Sequence, residues 1–102
     1  MKVLLLNGSP NKNGCTYTAL NEIKKTLKEE SIDSEIFWIG KKATGGCIAC
    51  GQCREKGKCV FDDKVNEFTA LAQNADGFII GSPVYYSGIN GSLMSFLDRA
   101  FY

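Results

Sequence analysis

Histidine is absent from this 102-residue chain. That single absence removes Ser-His-Asp and Cys-His catalysis, HExxH zinc sites and His-ligated haem from its repertoire. An excess of either charge is also missing. Twelve basic against eleven acidic residues leave a formal charge of +1, with no basic stripe to follow nucleic acid or an anionic membrane. Neither class of partner is expected. Long apolar runs are lacking too: Val3–Leu6 is far too short for a bilayer span or a signal-peptide core. The expectation is a soluble, unexported, cytoplasmic protein. No internal repeat, low-complexity tract or linker interrupts the chain. With 44% hydrophobic and 23% charged residues, disorder, collagen and coiled coil are excluded. One small domain at most is expected at this length.

Cysteine, by contrast, is abundant. Cys47, Cys50, Cys53 and Cys59 crowd into a short segment, while Cys15 stands apart. Disulfide frameworks belong to exported small domains. In a reducing compartment, clustered cysteines read first as metal ligands or redox thiols.

The apolar run at residues 2–7 reads as a strand buried on both faces of a parallel sheet. A turn-rich loop, Gly8–Gly14, leads to a helix from Thr16 to about Glu30, with Ala19, Leu20, Ile23 and Leu27 on one stripe. Ser34–Ile39 reads as a second strand. Residues 40–61 form a Gly- and Cys-rich loop without period. Asp62 or Asp63 can cap a helix reaching about Ala75. Gly77–Ser82 is a third buried strand, and Ser82–Gly91 a small-residue loop. A last helix carries Leu93, Phe96, Leu97, Ala100 and Phe101 on one face. Strands alternating with helices require a parallel sheet with right-handed crossovers. Three strands are few for that class, so the domain is expected to continue beyond this sequence.

In doubly wound sheets, ligands sit beyond the carboxyl ends of the strands, where the winding reverses. The loop after the first strand offers glycines, Ser9, Thr16, Asn11, Asn13 and a helix N-terminus. Backbone N–H groups and the helix dipole suit a phosphate. The loop is neither a Walker A sequence nor GxGxxG, which disfavours an ATPase or a standard dinucleotide site. An ordinary βα turn is the plain alternative. The second loop, Gly81–Gly88, presents backbone and two tyrosines at the same edge, where a flat ligand could lie. Tyr85 and Tyr86 could equally just cover the sheet edge.

Asn7–Thr16 together with Gly81-Ser82-Pro83-Val84-Tyr85-Tyr86 resembles the NADPH-dependent FMN reductase and iron–sulfur flavoprotein family of flavodoxin-like proteins. Gly91–Arg99 resembles that family's helix after the flavin loop. The resemblance implies a three-layer α/β/α flavodoxin-like fold around a parallel sheet. Residues 1–102 would be the N-terminal portion of a single FMN-binding domain, cut after the third strand and its helix. It implies that Ser9, Asn11, Gly14, Cys15 and Thr16 contact the FMN phosphate, and that Pro83, Val84, Tyr85, Tyr86 and Gly88 contact the flavin. Cys15 departs from the small polar residue often found in the family at its position.

Cys47-x2-Cys50-x2-Cys53-x5-Cys59 resembles the cluster motif of the iron–sulfur flavoproteins. Three thiolates at x2 spacing can converge on a cubane, and a fourth can close the site from the same loop. The loop glycines admit a bulky centre. A [4Fe–4S] cluster on these four cysteines ranks first; zinc, free thiols and disulfides stay open. The loop leaves the second strand on the side of both flavin loops, which places the cluster near the flavin edge. The function implied is that of an FMN-dependent oxidoreductase or electron-transfer flavoprotein, with NADPH or NADH as donor. A small-molecule or protein acceptor and a homo-oligomer are expected. No side chain reads as an acid–base catalyst, since the flavin supplies the chemistry. The alternatives are a non-enzymatic FMN-binding electron carrier and a truncated fragment that binds no flavin.

Overall fold

The computed structural model describes residues 1–101. Strand β1 (Lys2–Asn7) lies between β2 (Asp33–Trp38) and β3 (Gly77–Gly81), both parallel to it. The order β2-β1-β3 is the one with which a flavodoxin-like sheet begins. Helix α1 (Cys15–Glu29) covers one face, and α3 (Lys64–Ala72) with α4 (Gly91–Ala100) covers the other.

The period-2 alternation of β1 explains this layering. Val3 and Leu5 join Leu20, Ile23 and Leu27 of α1 on one side. Leu4 and Leu6 join Val65, Phe68, Leu93 and Phe96 on the other. An aromatic cluster fills that second layer, with Phe68 meeting Phe37 and Phe96 edge-on at 5.6 and 5.4 Å. Such T-shaped contacts bring positive ring edges against negative faces.

The sequence-level segmentation differs from the structure in three places. Residues 40–61 contain a single helical turn, α2 (Cys53–Lys56), which Gly57 ends in the left-handed conformation at φ 74°. The stretch after β3 is not an unstructured loop but a small antiparallel hairpin, β4 (Val84–Tyr85) with β5 (Gly88–Ile89). Its two-residue turn sets Tyr86 and Ser87 at positive φ, 48° and 62°, the geometry that suits the twist of paired strands. Helix α3 starts where Asp63 accepts the Val65 N–H at 3.1 Å, and it stops at Ala72 rather than Ala75. Asp76 is then free to tie the chain to the sheet: its N–H reaches Lys2 O, and its carboxylate accepts from Lys2 N at 2.8 Å.

Strand β3 has one hydrogen-bonded neighbour and is therefore an edge. Phe78 and Ile80 on it remain 39% and 43% exposed. A flat apolar edge invites pairing with another chain. The isolated chain is expected to self-associate at micromolar concentration, and Ile80→Lys to lower its apparent mass toward that of one chain in light scattering. A wild-type chain that scatters as a stable monomer would contradict this.

Candidate functional site at the carboxyl edge of the sheet

The parallel pairing of β1 and β3 brings the loops that leave them into contact. Gly8 N–H donates to Gly81 O at 2.9 Å. From the start of α4, Asn90 Nδ2 donates to Gly8 O at 2.7 Å. Ser82 Oγ accepts the Asn90 N–H at 3.2 Å and lies 3.1 Å from Asn90 Oδ1. Two glycines make this crossing possible. A Cβ on Gly8 would stand 2.7 Å from Leu93, and one on Gly81 would stand 2.9 Å from Thr16 Cγ2. No real Cβ survives such distances unless its neighbours shift.

The first loop is held by its own polar atoms. Asn7 Oδ1 accepts from Ser9 N–H at 3.0 Å, and Ser9 Oγ accepts from Asn11 N–H at 3.0 Å. Asn7 Nδ2 donates to Lys12 O, while Trp38 Nε1 on β2 donates to Ser9 O at 2.8 Å. The Lys12 ammonium stands 5.6 Å from the Trp38 ring centre. Thus Ser9 is buried within the turn, whereas Asn11 is exposed. Gly14 occupies the N-cap of α1, and no side chain caps that end. The first N–H groups of α1, at Cys15 and Thr16, face the loop without a protein partner of that kind. Such a terminus carries a partial positive charge and suits an anionic group.

The second set of residues lies on the hairpin. Pro83 is half-buried at its base, and Val84, Tyr85, Tyr86 and Gly88 are exposed along it. A cleft of about 290 Å³ runs between Gly8, Pro10, Tyr85 and Asn90 on one side and Gly40 and Lys41 on the other. The uncapped helix end, the glycine crossing and this cleft together fit a phosphate-bearing ligand with a flat head group.

The cysteine loop leaves β2 beside this cleft but folds back over α3 and α4. Its fixed point is Arg99, near the far end of α4. The guanidinium forms a bidentate pair with Asp63 at 2.7 and 2.9 Å and donates to Cys59 Sγ at 3.3 Å. The hydrogen bonds to Asp63 raise the Arg99 pKa above its ordinary value, against the burial that opposes charge. The loop is therefore clasped at a residue about two and a half helical turns, roughly 14 Å, along α4 from Asn90. All five cysteines are free thiols. Cys47, Cys50, Cys53 and Cys59 border one small hollow of about 30 Å³. Among the described residues, no three Cys, Asp or Glu side chains stand close enough together to hold one metal ion. Four unpaired sulfurs on one hollow are a donor set that suits iron–sulfur chemistry, although in this conformation the loop has not drawn them together.

The sequence matches the NADPH-dependent FMN reductase family over residues 1–102. The chain belongs to that family. It is 38% identical over 100 residues to an iron-sulfur flavoprotein of Methanocaldococcus jannaschii, covering 98% of this chain and 52% of that protein. It is 34% identical to one of Archaeoglobus fulgidus, across 97% of this chain and 45% of the relative. A Clostridioides difficile iron-sulfur flavoprotein is 36% identical, with 98% and 46% covered. The chain thus spans about half the length of these relatives. Among solved structures, an NAD(P)H:quinone oxidoreductase of Methanothermobacter marburgensis superposes with TM-score 0.73 at 18% identity, over 99% of this chain and 53% of that one. That likeness shows the flavodoxin-like fold.

In this family member, several residues that shape the site escape a motif reading. Asn7, Trp38, Ser82, Asn90 and Arg99 hold the loops in place. Asn90 had a detectable signal, a polar residue at the entry of an apolar helix. Arg99 had another, a charge where the stripe of Leu93 and Phe96 continues.

Trp38→Phe keeps an aromatic ring but removes the donor to Ser9 O and the pyrrole half of the indole. It should lower unfolding stability by about 0.5–1.5 kcal/mol, the net worth of one hydrogen bond, as measured by urea denaturation. An unchanged midpoint would show that the loop does not depend on this bond.

Proposed function

We propose that the chain is the N-terminal portion of a single FMN-binding domain and acts as an FMN-dependent oxidoreductase between a reduced nicotinamide donor and a small-molecule or protein acceptor. The observation that carries this reading is the crossing of the two loops at Gly8, Gly81 and Asn90, set against the uncapped start of α1. The membership of the family supports the choice of FMN as the phosphate-bearing ligand.

In this reading Gly14, Cys15 and Thr16 direct their backbone N–H groups at the phosphate, with Asn11 beside them at the loop surface. Ser9 shapes the turn from within. Pro83, Val84, Tyr85, Tyr86 and Gly88 form the hairpin side on which the flavin ring rests, and Tyr85 with Pro10 excludes water from the cleft. Bound FMN supplies both one- and two-electron redox chemistry. No acid–base side chain is assigned. A cluster held by Cys47, Cys50, Cys53 and Cys59 supplies one-electron chemistry, in keeping with the names of the relatives. A homo-oligomer and a cytoplasmic setting complete the proposal.

An anaerobic ultraviolet–visible spectrum of the purified chain tests the cofactor assignment directly, because flavin and iron–sulfur absorption have different shapes. Thr16→Glu places a carboxylate beside the phosphate, and a loss of FMN affinity of at least about tenfold is expected. Affinity that survives this change would move the phosphate elsewhere. Cys53→Ala should abolish iron and sulfide uptake while leaving FMN bound. Steady-state NADPH or NADH oxidation separates a reductase from a carrier that only shuttles electrons.

A further inference from the structure

Arg99 is the only charged side chain buried in the protein among the described residues. It follows the buried Leu93 and Phe96 at helical spacing on α4. Its side chain is 1% exposed and its guanidinium uses all five N–H donors. Two go to Asp63, at 2.7 and 2.9 Å. The other three reach the cysteine loop. They end on Gly45 O at 3.1 Å, just before the first cysteine, on Cys59 Sγ at 3.3 Å, and on Phe61 O at 3.1 Å, just after the last. A salt bridge alone would need only the first two.

The contacts divide the four cysteines sharply. Cys59 is fixed by its sulfur to Arg99 and by its backbone to Asn66, whose amide accepts from Cys59 N–H at 3.1 Å and donates to Cys59 O at 3.0 Å. Cys47 and Cys50 are exposed, and around them the backbone turns through the left-handed region at Ala49 (φ 56°) and Gly51 (φ 77°). They share one hollow with Cys53 and Cys59, but among the described residues no three such side chains stand close enough to hold one metal ion, so a cluster enters only if the loop rearranges.

We propose that Arg99 is a positioning residue that presents Cys59 as the fixed sulfur of the loop, onto which Cys47, Cys50 and Cys53 close around an iron–sulfur cluster. This rests on the cluster reading given under the proposed function. Kept in a loaded site, the Nε–H bond to Cys59 would favour the more negative, reduced state, as a hydrogen bond from a cation to a ligand sulfur does. Hydrogen bonds to the sulfurs are among the determinants of cluster potential, and partners that orient ligands commonly carry 10–100-fold of metal affinity.

The full chain, Arg99→Gln and Arg99→Lys are reconstituted anaerobically with ferrous iron and sulfide. Iron and sulfide per chain, the rate of iron loss to a chelator and the cluster midpoint potential are then measured. Arg99→Gln should lose iron about 10–100-fold faster, at a lower midpoint potential. Arg99→Lys, which keeps the charge without the planar fork, should fall between. Hydrogen exchange at the Cys59 amide of the metal-free chain should accelerate in Arg99→Gln while α1 is unchanged. Circular dichroism checks the fold, and if Arg99→Gln unfolds, Arg99→Lys against the full chain decides the matter. Equal rates of iron loss and equal potentials in loaded wild type and variant overturn the role of Arg99 alone. A wild-type chain that takes up neither iron nor sulfide overturns the cluster reading, and this proposal with it.

Discussion

The organisation depends on one strand buried from its second residue to its last. Leu4, Leu5 and Leu6 of β1 are buried on both faces, so apolar layers must close on it from two sides. Burial of each such side chain contributes on the order of 1.5–3 kcal/mol, but its consequence for function is geometric. A strand flanked on both sides by parallel neighbours sends its following loop out at the same edge as theirs. Gly8 and Gly81 therefore come within hydrogen-bond reach, although they are far apart in sequence. The candidate site is the polar termination of a hydrophobic sandwich.

The alternation of helices and strands, the buried run of β1 and the stripes of α1 and α4 were all legible in the sequence, because burial imposes its period on composition. Asp63 was legible as a cap for the same local reason. The hairpin Val84–Ile89 was not, since its positive-φ turn uses Tyr86 and Ser87 in place of the usual Asn-Gly. The single turn Cys53–Lys56 was hidden inside a segment whose glycines and cysteines carry no period. The side-chain brackets from Asn7, Trp38 and Asn90 depend on tertiary contacts and leave no local pattern. The cysteine loop was expected near the flavin edge from where it begins; the bonds by which Arg99 holds Gly45 and Phe61 are tertiary and left no trace in the sequence.

Helix α4 connects the two chemical regions. At its start, Asn90 gives its side chain to Gly8 O and Ser82 instead of capping its own helix. Near its end, Arg99 gathers Gly45, Cys59, Phe61 and Asp63. Between them Leu93 and Phe96 anchor it in the core. The helix thus serves as a strut, one polar end tied to the Gly8–Gly81 crossing and the other to the cysteine loop. Every buried side-chain nitrogen and oxygen among the described residues has a partner, so neither end leaves a desolvated group uncompensated.

The bond from Asn90 to Gly8 spans 82 residues. Ribosomes add about 5–20 residues per second, so Gly8 waits roughly 4–16 seconds after its own synthesis before its partner exists. For most of that interval β1, the most apolar segment of the chain, can pair with β2 on one side only. The nascent sheet has an open flank beside three consecutive leucines until Gly77–Gly81 is made.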